Sequence, residues 1–89
     1  MAANRPRYSK EEFTRRGEEI FERDIRPHVA HRDKNDFVAI DIETGVYEVD
    51  ADELKASDRL LARVPAAQTW LRRVGSRHVR RFGGRAEAV

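Results

Sequence analysis

Asp41 and Glu43 stand two residues apart in the run FVAIDIETG (37–45), and on an extended strand that spacing turns both carboxylates to one face. Two carboxylates so placed could hold a divalent cation that activates water for phosphodiester hydrolysis. Asp50, Asp52 and Asp58 lie in or next to a helix start, where N-capping accounts for them. His28 and His31 form an HxxH pair beyond Pro27 that could ligate zinc or nickel, yet the chain has no Cys and only Asp33 and Asp36 stand nearby to complete such a site. Loop histidines are the plainer reading. His78 has no acid near it in sequence to orient it as a base. Ser9, Ser57, Ser76 and Thr44 suit capping, a helix surface and turns, and Gly83 and Gly84 precede a tail rather than a phosphate-binding helix. The expectation is a protein that is not an enzyme, with no catalytic residue, no metal site and no cofactor.

The other chemistry-bearing group is basic. Trp70, Arg72, Arg73, Arg77, Arg80, Arg81 and Arg85 interleave an aromatic ring with guanidinium groups, which suits either carboxylates or phosphates because arginine binds both in a bidentate fork. Charge is segregated around them. Residues 33–58 hold nine acids against Lys34 and Lys55, whereas residues 59–89 hold eight arginines against Glu87. The plainer reading sets the acidic and basic segments side by side in the fold or across a dimer; the functional one is a surface for a protein partner or for sequence-tolerant, salt-sensitive nucleic-acid binding.

Elements must position these groups. Ser9 and Glu12 make a capping box, so a helix should begin at Lys10, carry Phe13, Ile20, Phe21 and Ile25 on its apolar stripe, and end near Ile25 or Arg26 because of Pro27. Gly17 either weakens that helix or lets another chain approach closely. Residues 36–43 alternate, with Val38, Ile40 and Ile42 on one face and Phe37, Ala39, Asp41 and Glu43 on the other, the latter read as solvent-facing. Thr44 and Gly45 supply a turn into a returning strand at residues 46–49, with Glu43 opposite Val46. Asp50 with Glu53 signals a second helix bearing Leu54, Leu61 and Val64, with Leu60 beside them, and Pro65 ends it. Residues 68–74 and 77–82 read as a second hairpin around a II′-type turn at Gly75 and Ser76. Its faces mix Trp70, Val74 and Val79 with Arg72, Arg77 and Arg81, and Leu71 and Phe82 with Arg73, His78 and Arg80. Cover on both sides, from the chain's own helices or from a second subunit, would account for this, and a homodimer is expected.

The order is helix, hairpin, helix, hairpin: an α+β fold in which an antiparallel sheet carries packed helices. At 89 residues the chain is one small domain, with 1–8 and 85–89 expected to be flexible and 36–84 forming a ββαββ module. Charged residues make up 38% and mean hydropathy is −0.79, which leaves no apolar run long enough for a membrane span or a signal peptide. A cytoplasmic location is expected. Without Cys, folding must rest on packing alone.

Two resemblances arise from these segments. FVAIDIETG resembles the opening motif of the DEDD exonucleases, a family that needs further aspartates, a downstream His or Tyr and a ribonuclease H-like scaffold roughly twice this length. The outer face of a hairpin is the preferred role for its acids here. Taken together, FVAIDIETGVYEVD, DELKASDRLLARVPAAQ and WLRRVGSRHVRRFGG resemble a family of small, functionally uncharacterised bacterial proteins, over residues 9–84. That resemblance implies a bacterial cytoplasmic protein with a ββαββ module behind an N-terminal helix. It also implies an operon partner, as with antitoxin-like small proteins found beside retropepsin-like proteases. It transfers no functional residue. The expected function is a protein-interaction module in a regulatory or toxin-antitoxin-like pair, with nucleic-acid binding through the C-terminal arginines as the alternative.

Overall fold

A computed structural model describes residues 5–75. It is an α+β fold: an antiparallel sheet of strands β1 (Phe37–Asp41), β2 (Tyr47–Asp50) and β3 (Thr69–Arg73) in the order β2-β1-β3, with helices on both faces. The strand expected over residues 77–82 lies outside the described residues.

Helix α1 (Lys10–Ile20) starts where the capping box requires, the Ser9 hydroxyl accepting from the Glu12 amide at 3.1 Å. It does not stop before Pro27. A π-helical turn over Phe21–Ile25 leads into a short α2 (Arg26–Val29), with the Arg26 amide donating to the Phe21 carbonyl. In a regular α-helix the Pro27 ring would strike the carbonyl four residues back; the wider turn shifts that register, and the missing proline N–H costs nothing in the first turn of α2. Phe21, Ile25 and Val29 therefore stay on one buried face against Val38, Ile40 and Ile42 of the sheet.

The opposite face packs on α3 (Glu53–Arg63). Asp52 caps it, accepting from the Leu54 and Lys55 amides, while Asp50 accepts from Asp52 one step earlier. The helix buries Ala56 and Leu60 against Ala39 and Ala67 and turns Leu54 outward, 70% exposed, so its inward stripe is rotated from the one expected. The small side chains of Ala39 and Ala56 let α3 lie close. With helices on both sides, β1 is buried on both faces: Val38, Ala39 and Ile40 are fully enclosed. The chain's own helices thus supply the two-sided cover that the mixed faces of β3 called for.

In the first hairpin Ile40 faces Tyr47 and Val38 faces Val49, a shift of two residues from the expected pairing. A two-residue shift preserves which side chains share a face. The extra residues form a longer turn, in which Gly45 takes φ 83° and donates to the Asp41 carbonyl at 2.8 Å. At the end of β3, Gly75 has no positive φ, as a II′ turn would demand. It packs against Lys34 instead, where an added Cβ would come within 2.5 Å of the Lys34 Cβ.

Gly17 is the point where α1 meets β3. A Cβ there would lie 2.1 Å from Trp70 Cε3. Gly17→Ala gains about 1 kcal/mol of helix propensity, but displacing the indole costs more than that, so a net loss of about 1–3 kcal/mol is expected. Thermal melts check it: Trp70→Leu should make the Ala variant tolerable, and an unchanged melt for Gly17→Ala alone would refute the close approach.

Candidate functional site

The second-hairpin residues within the described range divide by the pleat of β3. Trp70 and Arg72 face α1, whereas Leu71 and Arg73 face the other side. Arg72 is interior: its side chain is 3% exposed, its guanidinium lies 3.8 Å from the Phe21 ring centroid, and Nη1 donates to Glu18 Oε1 at 2.8 Å. Burial pushes the Arg72 pKa down, chiefly by desolvation, with Glu18 opposing. As a surface residue for a partner or for nucleic acid, Arg72 is therefore corrected, because its cation is spent on α1. Trp70 is half-buried against Gly17 and belongs to the same core. Arg73 is exposed, 4.9 Å from the ring centroid of Phe37, its direct partner on β1. Arg77, Arg80, Arg81 and Arg85 lie outside the described residues.

The acidic and basic segments do meet. Arg59 bridges Asp50 at 2.8 Å and Glu48 at 3.1 Å, and Arg63 also pairs with Glu48. These arginines hold the Glu48 carboxyl below its usual range, the Arg63 hydrogen bond being the largest cause. They also donate to the Val49 and Tyr47 carbonyls of β2, covering part of the polar backbone of that strand with charged side chains.

Asp41 and Glu43 do not share a face. Strand β1 ends at Asp41, a residue only 1% exposed, so its expected outward orientation is corrected. Its Oδ1 accepts from the Gln68 amide at 2.9 Å and the Glu43 amide at 3.2 Å, and its Oδ2 accepts from the Thr44 hydroxyl at 2.7 Å. The aspartate is the internal frame of the turn. Glu43, past the strand end, swings to the other side and accepts from Arg7 Nε at 3.1 Å and the Tyr8 hydroxyl at 3.0 Å. The Arg7 hydrogen bond is the main reason its carboxyl sits below the usual range. His28 and His31 are exposed, and among the described residues no group of three or more His, Cys, Asp or Glu is arranged to hold a metal ion.

Gln68 is the polar residue that sequence reasoning missed. It is 1% exposed, and its carboxamide is spent on the backbone of the N-terminal segment: Nε2 donates to the Arg5 carbonyl at 3.1 Å and Oε1 accepts from the Arg7 amide at 2.7 Å. Arg5 and Arg7, in the segment expected to be flexible, are thus each hydrogen-bonded to the residue that precedes β3. Nothing local signals this, since the partners are more than sixty positions apart in sequence. Beside Gln68 runs an apolar groove of about 310 Å³ lined by Pro6, Phe13, Leu61, Ala67 and Leu71, among others. Leu54 stands two turns from Leu61 and so extends the same side of α3 with exposed apolar surface.

Among the described residues no helix is long and apolar enough to cross a membrane. Comparison with protein-family models, curated proteins and solved structures finds no match.

Proposed function

We propose that the chain is a non-enzymatic protein-interaction module, one half of a bacterial cytoplasmic regulatory or toxin-antitoxin-like pair. The observation that carries this reading is the apolar groove between α1, α3 and β3, with a second exposed apolar side chain, Leu54, two turns before Leu61 on α3. Open apolar surface favours a protein partner over a phosphate backbone. Among the described residues the pairing of basic groups supports the same choice: Arg72 is paired with Glu18 in the interior, and Arg59 and Arg63 are paired with carboxylates at the surface, which lowers the positive potential open to nucleic acid.

Co-expression with the product of a co-transcribed gene tests it. The expected result is a stoichiometric complex by light scattering that Leu54→Glu weakens at least tenfold with no loss of melting temperature. Absence of a complex, together with salt-sensitive binding to duplex DNA that Arg73→Ala weakens, would overturn this reading in favour of a nucleic-acid-binding protein.

A further inference from the structure

We infer that the segment Arg5–Tyr8 is an internal occupant of a peptide-binding site, and that the partner's contact is an extended segment carrying a basic residue that takes its place. The inference rests on the protein-interaction reading and specifies its site. Gln68 holds residues 5 and 7 through one carbonyl and one amide, the pair of bonds that a neighbouring strand would offer an extended chain. Recognition of that kind reads backbone and is indifferent to side chains. Selectivity comes from Glu43, which takes the Arg7 guanidinium and the Tyr8 hydroxyl, and from the Arg16 guanidinium, 4.5 Å from the Tyr8 ring centroid.

The two sides of this contact differ in how firmly they belong to the fold. Gln68 is buried and anchored by its own backbone, its amide on Asp41 and its carbonyl on the Ile42 amide, so the receiving side is rigid. On the segment, Arg5, Pro6 and Arg7 are exposed, and Tyr8, half-buried, is the one residue packed on the core, edge-on to Phe13, so the segment is held mainly by Tyr8 and by the bonds to Gln68 and Glu43. Helix α1 keeps its start without it, because the cap is Ser9. Removal would leave the Gln68 carboxamide without those bonds and would take Pro6 from the wall of the apolar groove. An extended segment with Arg or Lys at the Arg7 position would restore both backbone bonds and the charge pair with Glu43.

A tethered occupant acts at an effective concentration of about millimolar, so a free peptide competes poorly until the tethered one is disabled. The experiment uses the full chain and a fluorescein-labelled peptide of residues 3–9, titrated by anisotropy. The Arg7→Glu chain, whose own segment is repelled by Glu43, is expected to bind this peptide at least tenfold more tightly than the wild-type chain. A peptide carrying Arg7→Glu should fail to bind, and so should the wild-type peptide on an Arg7→Glu, Glu43→Lys double variant. Melting temperatures confirm folding, since Arg7 and Glu43 form an exposed pair. Equal binding by the wild-type and Arg7→Glu chains, or no binding by either, would overturn the inference. If the co-expressed complex nevertheless forms, the interaction reading stands and only this site is lost.

Discussion

Replacing Asp41 by Ala is expected to destabilise the fold by about 3–5 kcal/mol, enough to lower the melting temperature by more than about 12 °C in a domain of this size. The carboxylate is enclosed and satisfies three donors: two backbone amides and the Thr44 hydroxyl. Alanine leaves the Gln68 amide buried without an acceptor and removes the frame of the turn. Asn should behave differently. Its carbonyl can replace Oδ1 toward the two amides, and its NH2 can donate to a reoriented Thr44 hydroxyl, so a loss of about 1 kcal/mol is expected. Thermal melts of both variants test the assignment. If Ala and Asn melt alike and close to wild type, the carboxylate is not structural. Metal-dependent cleavage of DNA or RNA that Asn abolishes without unfolding would restore the hydrolytic reading of this pair.

The same residue marks where the sequence was legible and where it was not. Alternation along β1, the Ser9 cap and the turn at Gly45 were readable because each is local, whereas Gly17 left two readings open, a weakened helix or a close approach, between which only the position of Trp70 decides. The burial of Asp41 was not, because Phe37, Ala39, Asp41 and Glu43 look like a solvent face until β1 is known to lie between two strands under two helices. Ala39 held the clue: a small residue permits close packing of a helix. The two-residue shift of the hairpin has the same origin, since an aspartate hydrogen-bonded inside its own turn lengthens that turn. Of the basic candidates, composition could not separate Arg72 from Arg73, because neighbouring strand residues differ only in which layer covers them.

Arg72 carries the second large effect. Breaking a buried ion pair by deleting one member costs about 3–5 kcal/mol, and the partial exposure of Glu18 lets water recover some of it. Arg72→Ala is therefore expected to lose about 2–4 kcal/mol, including the contact of its guanidinium with Phe21. Arg72→Lys should not rescue it fully, because an ammonium cannot stack its plane on the ring while bridging to Glu18. Arg72→Met with Glu18→Leu removes both charges and keeps apolar volume, so that pair should recover most of the loss. Arg73→Ala, an exposed change, should move the melt by less than about 1 kcal/mol. The contrast between two adjacent arginines decides how the basic strand is used. A large loss at 72 with none at 73 means that the α1-facing arginine builds the fold and that only the outward one is available to a partner. Equal, small losses at both positions would return Arg72 to the surface and revive the nucleic-acid reading of this strand.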